Sequence, residues 1–300
     1  MGGIGWVRTI VAGVLVVVWL LITWQGWHWP QRKRTKAATK FLSHHDIGGA
    51  DVRPKLQATA ERLLVARSHG QHVATSIGFG VMLAVVITPL VEAFESLGYL
   101  GLFVWNVPMF WSQAVGGAIG IGRAARSRPD EPRVAHLPQP TAADHLQPAF
   151  RWWGPAMLAL ATVLVVVDVV FPPEVEMLSS TATVVALGLA AASLVVAEGL
   201  VRWLLRVPQA PADPAELRLL DTLTGEAVGG VALGVIPTLL AGTLLLQRFP
   251  IGPGAQLVLA GLIIVMFTLD RDRRRHMRDR LWPPPPPLPP PPPLAGDTIR

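Results

Sequence analysis

The chain has 300 residues, of which 51% are hydrophobic and only 15% are charged. Its mean hydropathy of +0.43 is too high for an ordinary soluble domain, so the composition places the protein in a membrane. Cysteine is absent, which excludes disulfide bonds, thiolate nucleophiles and Cys-ligated metal centres. The net charge of +6 comes from 26 Lys and Arg against 20 Asp and Glu, and the strong preference for arginine favours a GC-rich bacterial source.

Seven apolar runs are long enough to cross the hydrocarbon layer as helices, which takes about 17–25 residues. They cover residues 6–24, 73–91, 97–121, 152–171, 179–201, 227–246 and 251–269. No small-residue cleavage site follows the first run, so we expect an uncleaved anchor. The third run contains Asn106, Pro108 and Gln113, and it is either a plain crossing or a broken, interfacial element.

The placement of basic residues predicts the orientation, because short loops rich in Lys and Arg stay in the cytoplasm. All cations except Arg8 and Arg248 fall on the same side of a seven-span chain. We therefore expect an all-α, polytopic transmembrane helix bundle of about seven spans, N-out/C-in, in the cell membrane.

This threading divides the chain into eight segments. They are a first transmembrane anchor (1–29), a basic cytoplasmic loop with a helical extension (30–72), a transmembrane hairpin (73–121), a Pro-rich cytoplasmic linker (122–151), a second hairpin (152–201), a cytoplasmic helix (202–226), a third hairpin (227–270) and a basic, polyproline cytoplasmic tail (271–300).

Within the cytoplasmic segments, local patterns predict two helices. Residues 54–72 carry apolar side chains at helical spacing and extend the second span. Asp213, Pro214 and Glu216 form a helix start that leads into the sixth span, with a bend expected at Gly225. The linker is expected to be extended. Residues 283–293 include ten prolines and are expected to form a polyproline II segment that is either a spacer or a docking peptide.

Placing an ionisable side chain inside a bilayer costs free energy, so each such residue needs a structural or functional explanation. Glu198 precedes Arg202 by four residues, which predicts a local ion pair. Asp168 either snorkels outward or faces a cavity. The two acids lie at opposite ends of their spans, on the order of 20 Å apart in depth, which disfavours a two-carboxylate site. Uncharged candidates for a polar interior are Asn106, Gln113 and Thr88.

Small residues four apart permit close helix contact in lipid, so Gly116 with Gly120 and Gly230 with Gly234 are expected to be packing positions. Residues 120–125 imitate a dinucleotide fingerprint but follow a membrane span rather than a strand, so no cofactor is expected. His44, His45, His69 and His72 lack metal-ligand spacing and are expected to be solvated. No catalytic motif is present, so we expect a protein that is not an enzyme.

These observations favour a non-enzymatic integral membrane protein that serves as a scaffold or subunit of a membrane-associated assembly. The alternative is a small-solute permease or channel with an uncharged polar interior. The expected partners are the lipid bilayer, anionic lipids at the inner leaflet through the basic segments, and proteins that dock on the cytoplasmic loops and tail. Nucleic-acid binding is not expected, because the basic tail shows no folded basic face.

Overall fold

The computed structural model describes residues 30–47, 54–87, 99–126, 141–172, 180–207, 213–248 and 253–282, with five single positions of the first apolar run. Within this part 92% of residues are helical and no strand occurs, which confirms the all-α class. Most of the first predicted span, Thr88 and the polyproline segment lie outside the described residues.

The described helices follow one another in chain order. They are α1 (Gln31–His44), α2 (Pro54–Ile87), α3 (Tyr99–Ala125), α4 (Ala142–His145), α5 (Pro148–Val170), α6 (Ser180–Arg206), α7 (Pro214–Ala232), α8 (Val235–Arg248) and α9 (Pro253–Leu281). The helix expected over 54–72 is present and runs on without interruption into the second apolar run as α2.

Three stretches of the described residues are long and apolar enough to cross a membrane. They are Pro148–Val170, Thr183–Arg206 and Pro214–Leu246, which correspond to α5, α6 and the α7–α8 pair. Only 17% and 22% of the apolar windows of α5 and α6 are buried, against 61% for Pro214–Leu246. The outward apolar faces of α5 and α6 are compatible with contact to lipid, and α7–α8 forms the centre of the bundle.

Helix α7 begins as the sequence predicts. Asp213 caps it by accepting a hydrogen bond from the Glu216 backbone N at 2.8 Å, and Pro214 occupies the first helical position. The helix contacts α2, α3, α4, α5, α6 and α9, and 13 of its 19 residues are buried. It is therefore the element around which the others pack.

Gly225 does not interrupt the helix, because α7 continues through that residue to Ala232. The helix breaks at Gly234 instead, which has a φ of +62° that L side chains rarely adopt. At this position the backbone lies against Gly154 of α5, and a Cβ at Gly234 would be only 2.6 Å from the Cα of Gly154. Close approach of two backbones thus decides where the sixth predicted span is interrupted.

The helix ends that carry most of the basic residues meet at one end of the bundle, and we call this packed region the basic-end unit. It consists of α1, α4, residues 54–70 of α2, the first turn of α5, the first half of α7, and the last turns of α3, α6 and α9. Its core contains Leu42, Leu63, Ile121, Phe150, Leu204, Leu219 and Leu223. Helix α1 was not anticipated in the basic loop, and it joins this core through Ala38 and Leu42.

The last part of the predicted linker is not extended. Asp144 Oδ2 accepts hydrogen bonds from the backbone N and the hydroxyl of Thr141, both at 2.7 Å, which starts the short helix α4. Burial raises the pKa of Asp144, but these hydrogen bonds outweigh it and hold the pKa below its ordinary value. His145 and Leu146 are buried as a result. Residues 127–140 lie outside the described part.

Candidate functional site

Small residues set the close contact between α2 and α3, the most extensive helix pair in the described residues. A Cβ at Gly116 would overlap the carbonyl oxygen of Gly70, and a Cβ at Gly120 would overlap that of Ala66. Ala66, Gly70 and Ala74 on α2 are spaced four apart, like the two glycines of α3. This contact also fixes the position of Arg67, whose Cα would lie 3.2 Å from a Cβ at Gly120.

Arg67 belongs to a charged cluster that joins three elements of the basic-end unit. Its guanidinium is ion-paired with Glu226 of α7. The other carboxylate oxygen of Glu226 lies 3.2 Å from Nε2 of His45, directly after α1. The side chain of Arg67 is 27% exposed, that of Glu226 is 18% exposed and that of His45 is 16% exposed. The expectation that His45 is solvated is wrong, since it is mostly buried beside a carboxylate.

Arg273 attaches α9 to α7 by a second polar contact. The residue is 2% exposed, and its Nη1 donates to the carbonyl oxygen of Gly225 at 2.7 Å. Its Nε and Nη2 donate to Asp270 Oδ1 at 3.1 and 2.8 Å. The guanidinium occupies the space that a Cβ at Gly229 would need, and it lies 5.6 Å from the ring centroid of Phe150. Gly229 therefore makes room for the buried cation.

The exposed face of α9 carries four arginines at helical spacing: Arg271, Arg274, Arg275 and Arg278. We call this the α9 arginine stripe. It lines one wall of a cleft of about 580 Å³, and Arg218 and Thr222 of α7 line another. The residues around the cleft also include His44, His45, Asp46, Glu226, Met277 and Trp282. Five arginines thus face two carboxylates, and one of those carboxylates is Glu226, already paired with Arg67.

Two cations of the stripe are not neutralised locally. Arg274 pairs with Asp270 at 2.8 Å, and Arg278 lies 3.8 Å from the exposed carboxylate of Asp279. Arg271 and Arg275 make no ion pair with any carboxylate of the described residues. The cleft therefore has a net positive charge, and the chemistry that it offers is the binding of an anion by guanidinium groups.

The predicted intramembrane positions are dispersed over the bundle. Glu198 and Arg202 form the predicted ion pair at 2.9 Å, and the side chain of Glu198 is 47% exposed. Both residues line a mostly apolar crevice of about 520 Å³ beside Arg151. Asp168 is half-buried on α5 and Gln113 is half-buried on α3. The side chain of Asn106 lies outside the described part.

The four predicted packing glycines all lie at or near a neighbouring helix. Gly116 and Gly120 face α2, and Gly234 faces Gly154. A Cβ on Gly230 would lie 3.6 Å from the Cβ of Ala114, which is ordinary van der Waals distance. Close approach is thus required at Gly116, Gly120 and Gly234, and not at Gly230.

Three residues of the charged cluster, Arg67, Glu226 and His45, had not been selected from the sequence as a site. The sequence shows the arginines of α9 at positions i, i+3, i+4 and i+7, which is the spacing of one helix face. It does not show the cleft, because the cleft depends on which helices are neighbours in the folded chain. Within the described residues no group of three or more His, Asp or Glu side chains is placed to hold a metal ion. Comparison with protein-family models, curated proteins and solved structures gives no match.

Proposed function

We propose that the protein is a non-enzymatic scaffold or subunit of a membrane-associated assembly, and that α1 is its docking helix for an acidic protein partner. One observation carries this proposal. Helix α1 buries Ala38 and Leu42 in the basic-end unit, while its other side exposes four cations, Arg32, Lys33, Lys36 and Lys40.

The attachment of α1 supports a docking role, because a helix held in place presents its charges in a fixed arrangement. Its first residue, Gln31, donates from Nε2 to Glu61 of α2 at 3.2 Å. Its C-terminal end is followed by His45, which contacts Glu226. Exposed cations in such an array increase the association rate with acidic surfaces.

In this proposal the N-terminus is outside, the basic-end unit is cytoplasmic and the chain crosses the membrane about seven times. The support is the collection of the basic helix ends in one packed unit, since Lys and Arg are retained on the cytoplasmic side.

Single-cysteine labelling tests this orientation without interference, because the natural chain has no cysteine. We expect a membrane-impermeant maleimide to label Glu174→Cys, in a predicted outer turn, on intact cells. Asp272→Cys, exposed on α9, is expected to react only after the cells are permeabilised. Labelling of Asp272→Cys on intact cells would contradict the orientation.

Charge reversal on α1 tests the scaffold function. We expect Arg32→Glu/Lys36→Glu to reduce recovery of a stoichiometric protein partner from mild-detergent extracts by tenfold or more, because reversal replaces attraction by repulsion (on the order of 1–2 kcal/mol). The matched control is Arg271→Glu/Arg275→Glu, which makes the same charge reversal at two exposed cations of α9. The partner bands are quantified after affinity purification of equal amounts of folded protein.

A stoichiometric partner recovered equally with both variants would show that α1 is not the docking helix.

The interruption at Gly234 is the observation that favours a permease, because broken helices often border transport sites. Beside it Trp153 Nε1 donates to the Thr238 hydroxyl at 2.9 Å. Solute flux in proteoliposomes that is lost in Thr238→Val would support that alternative and contradict the scaffold.

A further inference from the structure

We propose that the cleft between α7 and the α9 arginine stripe is a binding site for a phosphate group with two or more negative charges. The inference rests on the proposed function only in taking the basic end as the cytoplasmic one. It concerns a different surface from the exposed cations of α1, although His44 at the end of α1 also borders the cleft. The anion is recognised by its phosphoryl oxygens.

The first argument is the like-charge repulsion in the stripe, which carboxylates relieve only in part, at Arg274 and Arg278. Arg271 with Arg275 and Arg274 with Arg278 are four residues apart, so each pair brings two like charges onto neighbouring positions of one helix. Asp270 neutralises Arg274 only in part, since it also accepts from the buried Arg273. A bound anion would remove this repulsion, whereas the described carboxylates do not.

The second argument is the shape of the site. Arg218 stands on α7, across the cleft from the stripe, and its guanidinium lies 5.9 Å from the ring centroid of Trp282. Cations on two walls can donate to one anion from both sides. The Thr222 hydroxyl lines the same cleft, although it donates to the Arg218 carbonyl oxygen. The volume of about 580 Å³ lies in the usual range for small-molecule sites and has room for a phosphate group with its substituent.

The third argument is the depth of the site. Leu269 ends the continuous apolar run of α9, and Arg271 follows two positions later, about 3 Å further along the helix axis. Arg278 lies roughly 10 Å beyond Arg271 on the same axis. The cleft therefore begins where the apolar half of α9 ends. In the proposed threading, in which α9 crosses the membrane, this is the level of the phospholipid headgroups. Both a lipid phosphomonoester and a soluble diphosphate have the required chemistry.

The test is calorimetric titration of the purified full-length protein in an uncharged detergent. The probes are a short-chain phosphatidic acid, inorganic pyrophosphate and a short-chain phosphatidylcholine. We expect saturable binding of one anion per chain and none of phosphatidylcholine. If pyrophosphate binds and displaces phosphatidic acid, the physiological source is a soluble phosphate; if only phosphatidic acid binds, it is the lipid headgroup. Either result supports the site.

Variants separate the cleft from general positive charge. We expect Arg271→Gln/Arg275→Gln to weaken binding about 30-fold, the effect of removing two basic side chains near an anionic ligand. Arg32→Gln/Lys36→Gln on α1 is the matched control, with a change of less than about twofold. Arg271→Lys/Arg275→Lys keeps the charge and loses the bidentate donors, so an intermediate weakening is expected.

Equal weakening by the α9 and α1 variants would overturn the proposal, since it would indicate diffuse charge. Absence of saturable binding of both phosphate probes would also overturn it, as would equally tight binding of a poly-glutamate peptide in the cleft. The titration contains no protein partner, so its failure leaves the recruitment experiment on α1 unaffected. Loss of partner recovery likewise leaves phosphate binding unaffected.

Discussion

Gly120→Ala is expected to lower the stability of the folded bundle by about 3 kcal/mol, the upper range for overpacking a closely packed contact. A methyl group at this position would overlap the backbone carbonyl of Ala66 on α2. A backbone atom cannot move away as a flexible side chain can, so the two helices must separate. Thermal unfolding of the purified protein in detergent, followed by circular dichroism, measures the loss.

Gly188→Ala is the matched control for this substitution, since it adds the same methyl group within a helix of the same bundle. Nothing lies within 4 Å of the position where its Cβ would be. Alanine is the better helix former, by about 0.5–1 kcal/mol in water, so the control is expected to be neutral or slightly stabilising. Similar melting temperatures for the two variants would contradict the close α2–α3 contact.

Glu226→Leu is expected to cost about 2–3 kcal/mol, because it leaves Arg67 mostly buried without its carboxylate. The cost is below that of a fully buried pair, since both side chains retain some exposure to solvent. The double variant Glu226→Leu/Arg67→Met removes both charges and is expected to recover much of the loss. A double-mutant cycle on unfolding free energies measures the coupling between the two residues.

The exposed pair Glu198–Arg202 provides the comparison. Its side chains are 47% and 67% exposed, so Glu198→Gln is expected to cost no more than about 0.5 kcal/mol. The cluster would not join α1, α2 and α7 as the geometry implies if Glu226→Leu lowered the unfolding free energy as little as Glu198→Gln. The same conclusion would follow if the double variant were as unstable as Glu226→Leu alone.

Local features were predictable because they depend on residues within one turn or one helix. The cap at Asp213 and the ion pair of Glu198 with Arg202 each join side chains or backbone groups no more than four positions apart. The helical character of residues 54–72 follows from apolar spacing in the same way.

The charged cluster was not predictable from such patterns. Arg67 and Glu226 are 159 positions apart, and nothing in the spacing of either residue indicates the other. Helix α1 was missed for a related reason. Its sequence has few apolar residues, and two of them, Ala38 and Leu42, suffice only because neighbouring helices complete the core.

The amino-acid sequence by itself determined the apolar character of the chain, the helical class and the uneven distribution of basic residues, since these are sums over local composition. Only the tertiary structure decided at which glycine the helix that begins at Pro214 is interrupted. Gly225 stays helical with its carbonyl accepting from Arg273, whereas Gly234 adopts a positive φ against Gly154. Both glycines have the same intrinsic backbone conformational freedom, so the difference between them arises from the helix that packs against each one.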